Sequence, residues 1–439
     1  MLKTPSTLIQ TAIKQLHALR KIDILIFQNS LWLLAEKFNR AILGLLIGAW
    51  VARYLGPTNF GLLAFAVAYI AFFQSIVPIG ADGLVMRELV KNPNDSSKIL
   101  GTTLVMRLCI GSILWILSFA VFGLFDGWHD PTIILIAVLG SLTVFQAFDT
   151  FDLWFQSQNK GRYTAWAKFL GQLISNILKV FLIIFDYPVQ MFSFALALDG
   201  LMVVIGLLFL YNNNKTLTTW RFSSEQGKLI ILESWPYMIT GISWVLCMKI
   251  DQYMIKNYLG SYELGIYSVV LPLSQVWYLI PGTLMISLAP YVAKQKLLGD
   301  AHYYRALLLI FRGLGLCAIF IATFFCYFSK DIILFLYGPQ YADSALVLSV
   351  HIFTNFFVFQ TLAQNFWFVN ERKGIYQTLQ ATFGILIAVV ANYFLLPRFG
   401  SLGAAISSIL AFSISGVFSN AIFAPKIFLM QLGIKPLRY

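Results

Sequence analysis

Long apolar runs follow one another along almost the whole chain, separated by short polar segments. Each run is about 20 residues long, the length that an α-helix needs to cross the hydrocarbon of a bilayer. The pattern predicts about twelve spans, near 28–50, 59–80, 99–123, 131–155, 165–185, 189–211, 230–256, 264–290, 303–328, 343–370, 375–397 and 402–423. Because lipid offers no hydrogen-bond partner to the backbone, such runs fold as helices. The predicted fold class is therefore an all-α membrane protein.

A short sequence motif occurs twice in the chain. The triplet Tyr54-Leu55-Gly56, followed by Gly61, recurs 204 residues later as Tyr258-Leu259-Gly260, followed by Gly265. This separation relates the first three spans to the seventh, eighth and ninth, and the later spans drift by about ten residues. Parallel repeats related by an axis along the membrane normal are typical of carriers. We expect two parallel-topology six-helix lobes around a central cationic cavity.

The repeat also sets the expected domain bounds. Residues 1–27 form a cytoplasmic amphipathic segment, 28–211 the N-terminal lobe and 212–229 a cytoplasmic linker. Residues 230–423 form the C-terminal lobe and 424–439 a cytoplasmic tail. The linker is the polar stretch that contains three consecutive asparagines.

Composition agrees with a membrane protein and narrows its partners. The chain is 59% hydrophobic and 11% charged, with a mean hydropathy of +0.76, whereas soluble domains carry about 25% charged residues. The net charge is +12, but the 31 Lys and Arg residues are spread along the chain without a dense cluster or a basic face, so no nucleic-acid partner is expected. Cysteines and histidines lack the spacing of a disulfide framework or a metal site, and no cofactor is expected.

The distribution of Lys and Arg predicts the topology. An even number of spans places both termini on one side. Most loop cations, with Lys168 counted among them, fall on that side, and only Arg53, Lys256, Lys330 and Arg398 fall on the other. Cytoplasmic loops are enriched in Lys and Arg. Both termini are therefore predicted to be cytoplasmic, and the first residues do not form a removable signal peptide.

Charged residues inside the spans are the candidate functional residues. The cations are Lys37, Arg40, Arg107, Lys179, Lys249 and Arg312, and the candidate counter-charges or ion-coupling groups are Glu36, Asp199 and Asp251. A cation at the bilayer centre costs roughly 2.5 to 3.5 kcal/mol. One interpretation is structural ion pairs, Glu36 with Arg40 and Lys249 with Asp251 or another acid. The other is a cationic cavity for an anionic, phosphorylated substrate, which Arg and Lys bind well.

Two further pairs of residues allow a functional and a structural interpretation. Arg107 and Arg312 lie at nearly equivalent heights on the third helix of each repeat. They form either a paired gate for an anionic headgroup or two side chains that snorkel to the interface. Gly44 and Gly48 form a GxxxG pair, which favours close helix packing.

Three motifs in order resemble a known family. They are YLGPTNFG at 54–61, YGPQY at 337–341, and Asn392 followed by Pro397, Gly400 and 403–405. The chain resembles the bacterial polysaccharide transporters, the O-antigen flippases of the multidrug/oligosaccharidyl-lipid/polysaccharide exporter superfamily. The resemblance implies translocation of undecaprenyl-diphosphate-linked oligosaccharide repeat units across the bacterial inner membrane by alternating access. It also implies that Lys37 and Arg40 are the basic residues of the first helix.

Several alternatives stay open at this stage. A drug exporter of the same superfamily is the first, although an excess of cations argues against it. A membrane enzyme of glycan assembly is the second, but the chain has no large loop and no dense constellation of acid, base and nucleophile. A scaffold for glycan-assembly proteins is the third. The expected partners are the lipid-linked oligosaccharide, membrane lipids and a polymerase or other assembly protein, with the chain acting as a monomer.

Overall fold

The computed structural model describes residues 5–125, 127–213 and 220–435, and for residues 5–31, 33, 34 and 286 it describes the backbone alone. The described part of the N-terminal half contains seven α-helices. They are α1 (Pro5–Gln74), α2 (Asp82–Lys91), α3 (Ser96–Phe125), α4 (Thr132–Phe145), α5 (Asp149–Ser157), α6 (Gly161–Ile184) and α7 (Val189–Asn213). The turn Gln146–Phe148 joins α4 to α5 within one span.

The C-terminal half repeats this order with more interruptions. Its helices are α8 (Ser224–Leu259), α9 (Ser261–Ser268), α10 (Val270–Gln275), α11 (Leu279–Leu297), α12 (Asp300–Tyr327), α13 (Ser329–Tyr337), α14 (Ser344–His351), α15 (Thr354–Asn370), α16 (Gly374–Phe399), α17 (Ser401–Ser413), α18 (Asn420–Phe423) and α19 (Pro425–Gln431). A π-helical turn, Ile414–Phe418, joins α17 to α18. Helix α19 packs on α12.

The predicted all-α membrane fold is confirmed. Among the described residues, eleven helical segments are long and apolar enough to cross a membrane. The first of them, Ala35–Gln74, is broken at Gly56, whose φ is 70° and ψ is 170°. At about 1.5 Å per residue, the arms 35–55 and 57–74 are each about 30 Å long. Each arm can therefore cross the bilayer, which agrees with the predicted count of about twelve.

Some predicted segments lie partly outside the described residues. The side chains that would form the amphipathic face of 1–27 are not among those described, and the backbone is continuous helix from Pro5. Residues 214–219 of the predicted linker and 436–439 of the predicted tail are also outside. Helix α8 begins at Ser224, where the Ser223 hydroxyl accepts a hydrogen bond from the Gln226 backbone N–H.

The two repeated motifs pack directly against each other. We call the end of the bundle that holds Gly56 and Gly260 the corner side. There, a Cβ on Gly61 would overlap the carbonyl oxygen of Ser261, and a Cβ on Gly265 would overlap that of Pro57. The reciprocity follows from the repeat, because each motif presents its glycine to the other. Glycine is required at both positions, since any side chain would separate the lobes.

A second set of contacts joins the lobes on the corner side. The Tyr341 hydroxyl donates to the Ala52 carbonyl at 2.9 Å, and the Gln340 amide donates to the Arg53 carbonyl at 2.7 Å. These carbonyls lie in the last turn before the break at Gly56, where they lose their helical partners. In return, the Arg53 guanidinium donates to the carbonyls of Leu334 and Phe335 at the end of α13. Each helix end is thus capped by the other lobe, and we call this set of bonds the corner latch.

On the opposite side the lobes are joined differently. Arg87 of α2 forms an ion pair with Glu233 of α8 at 2.9 Å. A Cβ on Gly80 would overlap the backbone of Tyr237 and Met238. These contacts involve α2 and the first turns of α8, whereas the charged residues of α1 line an open cavity.

Candidate functional site

An open cavity of about 530 Å³ lies within the N-terminal lobe, and we call it the N-lobe cavity. Its wall combines residues from α1, α4, α5, α6 and α7 with the turn between α4 and α5. The charged residues in the wall are Glu36, Lys37, Arg40, Asp149, Lys168 and Asp199. Four helices, α1, α5, α6 and α7, therefore contribute to the ionic face that the sequence showed only on the first.

Arg40 lies at the centre of the charge network in this cavity. Its guanidinium donates to Glu36 at 2.9 Å, to Asp199 at 3.2 Å and to the Lys168 carbonyl at 3.1 Å. The pair with Glu36 is the i,i+4 pair expected from the sequence. Its side chain is 38% exposed, so it still reaches the cavity. Arg40 thus serves a structural ion pair and lines the cavity at the same time.

Lys168 corrects the predicted topology in one respect. The sequence placed it with the loop cations, but α6 begins at Gly161, two turns earlier. Lys168 therefore lies inside the span, where it pairs with the buried Asp152 at 2.5 Å. Together with Asp149, it brings the acids and bases of the N-lobe cavity close to balance. Its proximity to a helix boundary is why the sequence did not reveal this.

A second cavity, of about 360 Å³, lies between the lobes, and we call it the inter-lobe cavity. Its charged residues are Lys179 from α6, Asp199 from α7 and Lys249 from α8. Gly44 and Gly48 form part of its wall, and a Cβ on either would meet no atom within 4 Å. The predicted GxxxG packing is therefore wrong, because these glycines widen the cavity instead of packing a helix.

The lysines of the inter-lobe cavity lack acidic partners at bonding distance. Lys179 Nζ lies 3.4 Å from the Asn176 side-chain oxygen, and no ion pair to Lys179, Lys249 or Lys37 exists among the described residues. The amide nitrogen of Asn176 and the amide oxygen of Gln252 are buried there without a protein hydrogen-bond partner. The cavity therefore offers cations and polar groups to a ligand from both lobes.

Asp251 lies apart from Lys249, so the expected pair between them does not form. Its carboxylate is 3% exposed and accepts hydrogen bonds from Tyr267 at 3.0 Å, Asn392 at 2.6 Å and Ser408 at 2.5 Å. Lys249 and Asp251 are two residues apart on a helix, and such residues point to different faces. Asp251 thus joins α8, α9, α16 and α17 inside the C-terminal lobe.

Arg107 and Arg312 occupy different environments. Arg107 is 1% exposed and pairs with Asp82 at the start of α2. Arg312 is exposed, and its Nε donates to the Gly433 carbonyl at 2.9 Å. Neither lines the N-lobe or the inter-lobe cavity. Of the two interpretations offered by the sequence, the paired gate does not form in this structure, because Arg107 is buried and Arg312 is exposed.

Comparison with known proteins places this chain in a family. A profile described as polysaccharide biosynthesis protein matches residues 26–296. The Lsg locus protein 1 of Haemophilus influenzae is 22% identical over 329 residues, which cover 73% of this chain and 78% of that protein.

Solved structures share the fold. An inward-facing multidrug resistance MATE transporter of the MOP superfamily has a TM-score of 0.73 at 14% identity, and the match covers 90% of this chain and 96% of that one. The lipid II flippase MurJ in an inward closed conformation has a TM-score of 0.65 at 16% identity, and the match covers 93% and 90%. The chain therefore shares its two-lobe helical fold with these two proteins.

Proposed function

Since the chain belongs to the polysaccharide biosynthesis protein family, we propose that it is a flippase for undecaprenyl-diphosphate-linked oligosaccharide repeat units. The observation that carries the proposal is the inter-lobe cavity, where Lys179 and Lys249 approach from different lobes and have no acidic partner within ion-pair distance among the described residues. A cation inside a membrane is retained where it meets a counter-charge or water. A diphosphate supplies that charge, and ammonium groups bind phosphate as point charges.

The proposed mechanism is alternating access across the bacterial inner membrane, with both termini cytoplasmic. The diphosphate and sugars enter between the lobes, while the polyprenyl tail stays in lipid. The corner latch and the packing of Gly61 against Ser261 close the path on the periplasmic side. Release there requires these contacts to separate and the contacts of α2 with α8 to close further. No bond of the substrate is broken, so the chain acts as a transporter and not as an enzyme.

The ion balance distinguishes this proposal from drug export. A cationic drug would be repelled by Lys37, Lys179 and Lys249, which have no acidic partner at bonding distance among the described residues. The acids nearest to them, Glu36 and Asp199, are already held by Arg40. In the inter-lobe cavity, the charges that remain available are therefore positive, which favours an anionic substrate.

Translocation in proteoliposomes tests the proposal. Lipid-linked oligosaccharide is supplied in one leaflet, and its arrival in the other is measured with an impermeant glycosidase. We expect the wild type to equilibrate the two leaflets and the double variant Lys179→Gln/Lys249→Gln to do so at least tenfold more slowly. A charge-assisted contact of about 1.5 to 3 kcal/mol corresponds to a change of that size or larger.

The matched control removes a charge from the same helix outside the cavities. Lys228 lies near the start of α8 and is exposed, so Lys228→Gln should translocate at the wild-type rate. Equal rates for the wild type and the double variant would refute the cationic site. Efflux of a cationic dye by the wild type, without movement of the glycolipid, would establish drug export instead.

A further inference from the structure

The two lobes contain a second repeated motif. Lys160-Gly161-Arg162-Tyr163 opens α6, and Lys373-Gly374-Ile375-Tyr376 opens α16, 213 residues later. The residues before them, Asn159 and Arg372, both have positive φ, 55° and 54°. The backbone N–H of each lysine donates to a phenylalanine carbonyl at 2.8 Å, Phe155 in one lobe and Phe368 in the other. The turns are therefore equivalent, and 213 residues relates the later spans of the two lobes.

A cavity of about 240 Å³ lies inside the C-terminal lobe, and we call it the C-lobe cavity. Its wall comes from α8, α15, α16, α17 and the π-helical turn Ile414–Phe418. It contains the amides of Asn365, Gln377 and Gln380, the hydroxyl of Thr240 and the indole of Trp244. None of its lining residues is an acid, a lysine, an arginine or a histidine.

The repeat relates this cavity to the N-lobe cavity residue by residue. With a separation of 204 for the first span of each lobe and 213 for the later ones, the equivalent lining residues are Glu36 and Thr240, Lys37 and Gly241, Arg40 and Trp244, Asp149 and Leu362, Lys168 and Ala381, and Asp199 and Phe412. Every charged residue that lines the N-lobe cavity thus has an uncharged counterpart in the C-lobe cavity.

A contact in each lobe supports this equivalence. Arg40 forms an ion pair with Asp199 at 3.2 Å across the N-lobe cavity. Their counterparts, Trp244 and Phe412, form an edge-on ring contact with 6.1 Å between centroids. The same two positions therefore meet in both lobes, once as an ion pair and once as an aromatic pair. The lobes keep one cavity and differ in its chemistry.

We propose that the C-lobe cavity binds a neutral sugar ring of the glycan, while the diphosphate binds the lysines between the lobes. This assignment rests on the proposed function. A sugar ring has hydroxyl groups that donate and accept hydrogen bonds, and C–H faces that pack on aromatic rings. Amides and hydroxyls supply donors and acceptors, and Trp244 supplies a flat apolar surface with an N–H at its edge.

The amides of the C-lobe cavity retain hydrogen-bonding capacity. Gln380 Nε2 donates to Ser419 at 3.1 Å and to Asn420 at 2.9 Å, and Gln377 Nε2 donates to Asn365 at 3.0 Å. These bonds fix the orientation of the side chains. In the described part of the chain, the amide oxygens of Gln377 and Gln380 accept no protein hydrogen bond, so they are available to hydroxyl donors.

The size and neutrality of the cavity exclude other parts of the substrate. Pockets for drug-sized ligands are roughly 300 to 1,000 Å³, so about 240 Å³ suits one ring and not a whole repeat unit. A phosphate would lose its water there without gaining a cation, which is unfavourable. A polyprenyl tail would bury the amides without hydrogen bonds, at a similar cost.

Binding of two lipids tests the assignment. One probe is bare undecaprenyl diphosphate, and the other is the undecaprenyl-diphosphate oligosaccharide extracted from source cells that lack this protein. Dissociation constants are measured by thermophoresis with the purified full chain in detergent. We expect the wild type to bind the oligosaccharide lipid more tightly than the bare lipid. Trp244→Ala should lower the affinity for the oligosaccharide lipid about tenfold, because the variant loses a stacked ring and its buried area. The affinity for the bare lipid should stay unchanged.

A second variant fills the cavity without removing a packing group. A Cβ on Gly241 would meet no atom within 4 Å, and leucine favours a helix over glycine, so Gly241→Leu should fold and occupy the space of the ring. It should lower affinity for the oligosaccharide lipid alone. The controls are Trp235→Ala, an exposed tryptophan on the same helix, and Gly313→Leu, where a Cβ also meets no atom. Both should bind as the wild type does.

The outcomes separate the assignment from the proposed function. If Trp244→Ala and Gly241→Leu bind both lipids as the wild type does, the sugar site is refuted, and the flippase proposal stands on the lysine variants. If both variants lower the affinity for the bare lipid as much as that for the oligosaccharide lipid, the cavity holds no sugar, because the loss is not specific to the glycan. If the wild type binds neither lipid, the proposed function fails and the sugar site fails with it.

Discussion

Arg40 and Lys249 are both cations inside a membrane span, but their surroundings differ. Arg40 is held by Glu36 and Asp199, so removing it leaves two carboxylates without their partner. Lys249 has no acidic partner among the described residues and lines the inter-lobe cavity. Removing an unpaired charge from a half-buried position relieves a desolvation cost. The two residues should therefore respond differently to neutral substitution.

We expect Lys249→Met to leave the melting temperature unchanged or higher, because the side chain stabilises no other group. Arg40→Met should lower stability by about 1 kcal/mol, a modest value because the arginine is partly exposed. Both should slow translocation of the lipid-linked oligosaccharide at least tenfold. Thermal unfolding in detergent and the leaflet assay measure the two effects separately.

The opposite stability result would change the assignment of Lys249. A melting temperature that falls after Lys249→Met, with translocation intact, would make it a structural residue. Lys256→Met is the matched control on the same helix. Lys256 hydrogen-bonds to Ser261 near the corner and lines none of the cavities described above. The Lys256→Met variant should therefore translocate the lipid at the wild-type rate.

The sequence predicted only part of this charge network. The pair of Glu36 with Arg40 was predictable, because i,i+4 residues are neighbours on a helix. The second partner, Asp199, lies on α7 and meets Arg40 only after the lobe has folded. Lys249 and Asp251, one of the pairings that the sequence left open, do not pair, because residues two apart on a helix point to different faces. Long-range partners depend on helix rotation, which composition does not specify.

The corner latch is a contact between elements that exists only while the lobes are together on that side. The turn Pro339–Tyr341 caps the end of the first arm of α1, and Arg53 caps the end of α13. A capping bond contributes about 0.5 to 1.5 kcal/mol. Since the partners belong to different lobes, this energy favours the conformation that is closed at the corners over one that is open there.

Tyr341→Phe should therefore raise the population of the corner-open conformation about fivefold, because it removes one such bond of about 1 kcal/mol. The measurement is double electron–electron resonance between spin labels attached at Tyr187→Cys and Lys330→Cys, after the native cysteines are replaced. The two labels lie on the corner side, one in each lobe. The longer of two distances should gain intensity, and Gln340→Ala should act in the same direction.

Tyr337→Phe is the control for this shift. Tyr337 is buried four residues earlier in the same motif, and its hydroxyl makes no protein hydrogen bond in the described part of the chain. Its distance distribution should match that of the starting protein. If Tyr337→Phe and Tyr341→Phe shift the distribution equally, packing of the rings and not the inter-lobe bond controls the opening.

At the level of elements, the sequence predicted what is local and missed what is shared between lobes. The spans followed from the length of apolar runs, and the corners followed from glycine, which alone adopts the backbone of Gly56 without strain. The YGPQY stretch was noted as a motif, but its partners Ala52 and Arg53 are far away in the chain. Helix α2 lies in the polar segment between the second and third predicted spans, and the lengths of the apolar runs do not indicate it.

The whole molecule combines a shared frame with unequal lobes. The reciprocal packing of Gly61 and Gly265 keeps the repeat at the corners. The cavities depart from it, with ion pairs in one lobe and neutral polar groups in the other. A substrate with a charged and a neutral end matches such a pair of lobes, because the charged end can meet ionic groups and the neutral end can meet neutral polar groups. The complementarity follows from the residue equivalence of the two repeats, since neither lobe shows it alone.

The unpaired lysines predict how the whole transport cycle responds to voltage. A diphosphate carries about two negative charges, and each is worth roughly 2.3 kcal/mol per 100 mV. Under the proposed function, an inside-negative potential therefore drives the loaded anion outward and draws the emptied cationic site back. We expect translocation in oriented proteoliposomes to accelerate when a potassium gradient with valinomycin makes the cytoplasmic side negative, and to slow when the gradient is reversed.

Ion antiport makes a different prediction for the same vesicles. If a proton or sodium ion carried through Glu36, Asp199 or Asp251 drives the cycle, the rate should follow the pH or sodium gradient and ignore the imposed potential. Asp251→Asn separates the two, because the amide keeps the size of the side chain and loses its charge. Under the electrophoretic mechanism, this variant should keep the voltage response even if stability falls, since Asp251 bonds only to neutral groups inside its lobe. Under ion antiport through Asp251, the same variant, with folding intact, should instead lose the response to the pH or sodium gradient.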